Sequence, residues 1–199
     1  MKKSIIAAGA ASVALAAMPV VGVFAADSNL SQTDTVIVTV DTACSLATSG
    51  SSLDPASTYT ATIANSAYNT NIAGSTFTVT CNDNAGWQLS AVGAGTGTSV
   101  AHMDASTEAD DDIATGTTLD GSVSAWAFKV AGANGATVQG SYDSFSEVPT
   151  TAAVIAKGTT TTTTATVTAT YGVGISATQE AGTYTGKVTY TLAHPATNS

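Results

Sequence analysis

The amino-acid sequence predicts an all-β protein, an antiparallel sandwich of about seven or eight strands. Three observations carry that expectation. Apolar and polar residues alternate in short runs. The cleanest is Tyr184 to Leu192, where Tyr184, Gly186, Val188, Tyr190 and Leu192 share one face and Thr185, Lys187, Thr189 and Thr191 the other; a period of two marks a half-buried strand. Clusters of Gly, Asn and Asp, which tolerate left-handed turn backbone, separate the runs. Beyond the N-terminal segment, no stretch carries a convincing helical period.

That segment, residues 1–25, has the form of an export signal. Lys2 and Lys3 precede an apolar run from Ile5 to Phe24, which Pro19 interrupts, and Val23-Phe24-Ala25 sets small residues at −3 and −1. Cleavage after Ala25 is expected. Retention as an N-terminal anchor is the alternative, because the run is almost long enough to cross a bilayer. No second apolar run follows, so residues 26–199 are expected to form one extracellular or cell-surface domain without a membrane span.

Fourteen acidic residues face five basic ones, a formal charge of −9, and loss of Lys2 and Lys3 makes the exported chain more negative still. Such a surface repels nucleic acid and anionic lipid. The Thr, Ser, Ala and Gly content invites a reading as disordered chain, but the regular alternation and the aromatics oppose it. Two cysteines, Cys44 and Cys81, make an even count in an exported chain, and a disulfide is expected. Closing a loop of about 37 residues stabilises by about 3.8 kcal/mol in the chain-entropy model.

Taken in order, Ala26 to Asp34 is polar and loose, and Thr35 to Val40 reads as the first strand, rich in β-branched residues. Ser49 to Pro55 turns the chain, Thr58 to Ile63 can form a short strand, and Asn65 to Gly74 reads as loop, with Ile72 a candidate to pack inward. Thr76 to Cys81 alternates, with Phe77, Val79 and Cys81 inward. Asn82 to Gly86 is strong turn chemistry, and Trp87 to Ala91 resumes the alternation. These two strands are expected to form a hairpin, with the disulfide and Trp87 at one end of the core. Gly93 to Asp120 is long, polar and acidic, either a surface excursion or a functional loop. Val123 to Val130 is a strand with Trp126, Phe128 and Val130 on one face, and Ala131 to Gly140 turns the chain. Ser141 to Lys157 is ambiguous, with Val148, Val154 and Ile155 as anchors. Six threonines, Thr159 to Thr164, lead into a strand from Ala165 to Tyr171 that Gly172 to Ile175 extends or bulges. Before the last strand, Glu180-x-Gly182-x-Tyr184 has the form of a tyrosine corner, whose hydroxyl bonds back to the upstream backbone. The whole fits an immunoglobulin-like Greek-key sandwich; a jelly roll or small barrel is the alternative.

Catalytic chemistry is not indicated, and neither is a cofactor. His102 and His194 stand in no metal-ligand spacing, no G-x-S-x-G or phosphate-cradling loop is present, and no arginine is available to clamp an anion. The one metal candidate is the acidic stretch: Asp104, Glu108, Asp110, Asp111 and Asp112 offer oxygen ligands of the kind Ca²⁺ takes. Their spacing lacks the D-x-D-x-D-G pattern, and a solvated loop is the expected reading.

Two family patterns meet in these strands. Trp87-Gln88-Leu89 resembles the first signature of bacterial WxL-domain surface proteins. Tyr184, Thr185, Val188, Thr189, Tyr190, Leu192 and Pro195 are similar to their C-terminal one, Y-T-x-x-L-T-W-x-L-x-x-x-P, with Tyr190 in place of Trp. That resemblance implies a secreted protein held non-covalently on the cell wall by peptidoglycan. Phe77-Thr78-Val79-Thr80-Cys81-Asn82, with Cys44 as partner and Ala181-Gly182-Thr183-Tyr184 near the end, resembles chaperone–usher pilins and spore-coat-U-like domains. It implies a non-catalytic surface domain that can assemble with other copies. No L-P-x-T-G motif and no lipobox cysteine is present, so covalent anchoring is not indicated. The expected function is therefore a secreted structural or adhesion protein of the bacterial surface, with a pilin-like fibre subunit built by β-strand donation as the alternative. The Tyr184–Leu192 strand would then need a neighbour, and Thr35–Val40 is the spare strand. Completion of its own domain is the expected mode, and donation to a neighbouring copy the other.

Overall fold

The computed structural model of the 199-residue chain describes residues 37–38, 44–49, 60–83, 85–96, 98–106, 112–158 and 164–194. The chain divides into two compact units, Met1–Thr39 and Val40–Ser199. In the first, Ile37 and Val38 are described; they lie in irregular backbone and are 85% and 77% exposed. They are therefore not in the strand expected over Thr35–Val40, whose other four residues lie outside the described ones, as does the export signal. Alternation of β-branched residues alone therefore does not put Ile37 and Val38 in a strand.

The second unit is all-β. Its described strands are β1 (Cys44–Ser49), β2 (Ala67–Cys81), β3 (Trp87–Gly93), β4 (Met103–Ala105), β5 (Ala125–Ala133), β6 (Thr137–Val138), β7 (Ala153–Gly158), β8 (Ala165–Ile175), β9 (Tyr184–Gly186) and β10 (Val188–Ala193). They form a sheet of order β1-β2-β8-β5, a second of order β10-β3-β7-β6, and a two-stranded piece β4-β9. Every ladder between these strands is antiparallel. The two larger sheets share one core, with Phe77, Val79, Phe128, Val130, Val167 and Ala169 from the first and Trp87, Leu89, Ala91, Ile155 and Ala156 from the second. This is a sandwich-like packing of two inner faces.

Several local expectations are corrected. Asn65 to Gly74 is not loop: from Ala67 it belongs to the 15-residue β2, which pairs with the 11-residue β8 across two register shifts, Asn69/Ile72 and Ala73/Thr76. Those irregularities scramble the period of two, which hid the strand. The stretch before it, Thr60 to Ile63, is irregular backbone. β2 and β3 do not form a hairpin, because they lie in different sheets. Both strands bury alternate residues in the same core, so the turn between them arches from one sheet to the other. Gly86 makes that turn with φ 82°, its N–H donating to the Asp83 carbonyl at 3.0 Å. Tyr184 to Leu192 is broken at Lys187 into β9, which pairs with β4, and β10, which pairs with β3. Finally, Ala131 to Ala133 continue β5, and the turn proper is Asn134–Gly135, both at positive φ (55° and 94°), closed by Ala136 N–H to the Ala133 carbonyl. Paired left-handed residues make the tight turn that matches strand twist.

That turn carries the chain from β5 in one sheet to β6 in the other and closes one side of the molecule. The outer edge of β5 is also covered: Phe128 exchanges backbone bonds with Ser146, Val130 N–H donates to Tyr142, and Trp126 bonds to Ala114 and Gly116. The opposite side is bounded by β1 and β10, and among the described residues each has one ladder partner, β2 and β3 respectively.

Candidate functional site

The side bounded by β1 and β10 is where the core is least covered. In β3 the inward residues Trp87, Leu89, Ala91 and Gly93 are all buried. In β10 the inward residues Val188, Tyr190 and Leu192 are only half-buried, and so are Cys44, Leu46 and Thr48 in β1. Val188, Tyr190, Leu192, Leu46 and Tyr171 pack on the core without being enclosed by it. The two edge strands come into contact over part of their length without forming a ladder. Between them lie half-buried apolar side chains, and among the described residues neither β1 nor β10 has a second ladder.

These side chains rest on a chain of aromatic rings. Tyr190 points from β10 onto Phe77 of β2, ring centroids 4.5 Å apart. Its hydroxyl shares a 2.9 Å hydrogen bond with that of Tyr171 on β8. Tyr171 in turn stacks on Trp126 of β5 at 6.4 Å, and the Trp126 indole N–H donates to the Ala101 carbonyl at 2.8 Å. One side chain of the edge strand β10 is thereby tied to three strands of the facing sheet. Tyr171 was legible as inward-facing from its alternation with Val167 and Ala169; that it meets Tyr190 depends on which strands face each other, which the sequence does not encode locally.

Cys44 and Cys81 form a disulfide. The two residues are directly opposite each other in the β1–β2 ladder, so the bridge fixes the first residue of the edge strand to the last residue of β2. Cys81 and Trp87 are both buried in one core cluster, as expected, and Trp87 packs so closely over Gly158 of β7 that no side chain fits there. At the same end Asp83 is 4% exposed. Its carboxylate accepts the Ala85 N–H at 2.8 Å and lies 3.5 Å from Nδ1 of the exposed His194, the last described residue.

The two WxL-like signatures come together in space. Leu192 lies opposite Leu89, and Tyr190 opposite Ala91, in the β3–β10 ladder. Trp87 and Leu89 are fully enclosed (3% and 0% exposed), so they pack the core and cannot touch a wall polymer. Tyr184 opens β9, and its hydroxyl donates to the Glu180 carbonyl at 2.8 Å and accepts from Gln179 Nε2. This is the back-bond of a tyrosine corner. Pro195 lies outside the described residues.

The acidic stretch is built differently from a metal cage. Of the five candidates, Glu108, Asp110 and Asp111 lie outside the described residues. Asp104 accepts both the backbone N–H and the hydroxyl of Thr96, and Asp112 accepts the same pair from Thr98 together with the Ala105 N–H. Among the described residues no three His, Cys, Asp or Glu side chains are grouped to hold a metal. The N–H of Ala105, followed by that of Thr98, holds the Asp112 carboxyl below its ordinary range. Asp120 is lowered in the same way by the hydroxyl and N–H of Ser122. These carboxylates cross-link a segment whose buried residues Ala101, Ile113 and Leu119 pack beneath it. His102, half-buried, bonds through Nδ1 to the Thr98 hydroxyl at 2.9 Å. The described parts of the long polar segment are thus cross-linked into a cap.

Comparison with family models, with curated proteins and with solved structures finds no match to this chain. Among the described residues no helix is long and apolar enough to cross a membrane.

Proposed function

We propose that the chain is an exported, non-catalytic structural protein of the cell surface whose sandwich joins to further copies by accepting a β-strand at the β1/β10 seam. The observation that carries this reading is the asymmetry of the two sides. The β5/β6 side is closed by a turn and a covering segment, whereas among the described residues β1 and β10 have one ladder partner each and their inward side chains are half-buried. Soluble proteins cover or blunt such edges, and an added strand does so with main-chain hydrogen bonds and pockets for alternate side chains. The facing orders β1-β2-β8-β5 and β10-β3-β7-β6, together with the tyrosine corner, support an immunoglobulin-like arrangement in which the place beside β10 is open to an added strand.

Thr35–Val40 is the strand we assign to that place. It has six residues, the length of both β1 and β10. Its two described residues are apolar and in irregular backbone; donation to a neighbouring copy is the mode we propose, with completion of the chain's own sandwich as the alternative. A head-to-tail contact of this kind does not close on itself and grows as a fibre. Wall attachment has support only in the WxL resemblance, and the burial of Trp87 and Leu89 gives those residues a packing role instead.

Sedimentation and electron microscopy of the exported chain test the proposal against the double variant Val36→Asp, Val38→Asp. The parent is expected to form linear polymers and the variant to remain monomeric with an unchanged circular dichroism spectrum. Identical size distributions for the two would remove the reading. Retention of the monomeric variant on purified peptidoglycan would favour the wall-binding module.

A further inference from the structure

We infer that Asn134 is a site of spontaneous covalent modification, converted with water as co-reactant to aspartyl and isoaspartyl forms, and that the closed turn it helps to make sets the rate. No other asparagine in the chain is followed by glycine. Asn134 and Gly135 are both exposed, at positive φ (55° and 94°), in the turn from β5 to β6. Glycine has no Cβ to shield its own nitrogen. Once that nitrogen gives its proton to water or hydroxide, it can attack Cγ, the side-chain carbonyl carbon of Asn134. The N–Cγ bond forms, the bond from Cγ to the side-chain nitrogen breaks, and ammonia leaves after taking a proton from solvent. Water then opens the resulting succinimide. Cleavage of the new N–Cγ bond leaves an aspartyl residue. Cleavage of the original peptide bond leaves an isoaspartyl link, in which the backbone runs through Cβ and Cγ.

The folded turn opposes this reaction. A non-glycine residue with φ 55° lies in the left-handed region, where ψ is about +30 to +60°. There the Gly135 nitrogen points away from the Asn134 Cβ, and the ring closes only after ψ of Asn134 swings by roughly half a turn. Such a swing breaks the 3.2 Å bond from the Ala136 N–H to the Ala133 carbonyl that closes the turn. The backbone beside it leaves little slack: a side chain at Gly132 would meet the Ala136 carbonyl oxygen at 2.6 Å. Attack therefore waits for local opening. The two products then act differently. An aspartyl residue tolerates left-handed backbone and keeps the turn. The isoaspartyl link lengthens the backbone, and a tight turn set by two left-handed residues cannot take the extra carbon. This turn passes from the sheet of β5 to that of β6, and β6 is held to β7 through only two residues, so the isoaspartyl form loosens the β5/β6 side.

The test is peptide mapping that resolves amide, aspartyl and isoaspartyl forms, on the full exported chain incubated at mildly alkaline pH, either folded or unfolded in urea. In urea Asn134 should convert ahead of every other asparagine. In the folded chain it should convert at least about tenfold more slowly than in urea. Gly132→Ala, whose methyl presses on the Ala136 carbonyl, should speed the folded reaction and leave the rate in urea unchanged. Where that variant does not fold, the parent in urea below its unfolding midpoint should show the same acceleration. Amide exchange over Thr137–Val138 should be faster in the separated isoaspartyl form and match the parent in Asn134→Asp. Another asparagine converting first in urea would overturn Asn134 as the site. Equal folded and unfolded rates would overturn control by the turn, and equal exchange in the isoaspartyl form and the parent would overturn the loosening.

Discussion

Asp112 shows how single side chains shape the cap over the sandwich. It is an exposed carboxylate, yet it ties Thr98 and Ala105 together through three hydrogen bonds. Those bonds favour the ionised form, so its folded pKa is depressed, and Asp120 is depressed by the Ser122 hydroxyl. A depressed carboxyl contributes stability that is fully present above the unfolded value of about 3.9 and is lost as pH falls through the folded value. The cap should therefore hold its structure at neutral pH and loosen only in acid below about pH 4. Amide exchange over Thr98–Ala105 should accelerate on acidification well beyond its intrinsic pH dependence, and Asp112→Asn should already show the faster exchange at pH 7. Equal protection in parent and variant at pH 7 would mean that the carboxylate orders nothing. The sequence supplied Asp104 and Asp112 as calcium candidates; hydroxyls and N–H groups of Thr96, Thr98 and Ala105, several residues away, donate to them, and only folding brings those together.

At the scale of the element, edge strand β1 is the least secured part of the first sheet. It has six residues, one ladder partner among the described residues, and inward side chains that are only half-buried. The Cys44–Cys81 bridge fixes its first residue and closes a loop with a sequence separation of 37. The chain-entropy model assigns about 3.8 kcal/mol to that closure, an upper figure if the reduced chain keeps residual structure. Chemical denaturation with and without reductant should show a loss of about 2–4 kcal/mol, and the reduced chain should lose protection first in β1. A midpoint unmoved by reduction would mean that β1 docks without its staple. The strands read most surely from sequence were those with unbroken alternation and β-branched residues, Thr76–Cys81 within β2, Trp87–Ala91 within β3 and Ala165–Tyr171 within β8. The beginning of β2 was misread because its bulges break the period, and the β2–β3 connection because a short Asn/Gly turn serves an arch between sheets as well as a hairpin. The tyrosine corner was legible because its bond is local, four residues back to Glu180.

For the whole molecule, the all-β class could be argued from the sequence, since short runs of period two separated by Gly, Asn and Asp clusters recur along it. Which strands bound the sandwich could not, because that depends on how the two sheets lie on each other. β5 and β6 are joined by Asn134–Gly135, and that single turn decides that β1 and β10 bound the other side. The central claim is that β10 gains a second ladder partner when copies associate. Hydrogen–deuterium exchange over Val188–Ala193, followed as the exported chain is concentrated from monomer to polymer, tests it most directly. The amides of β10 that do not face β3 should exchange rapidly in the monomer and become protected in the polymer. Those of Trp87–Gly93, paired already on both sides by β7 and β10, should hardly change. Polymer formation without new protection in Val188–Ala193 would contradict strand acceptance at the seam.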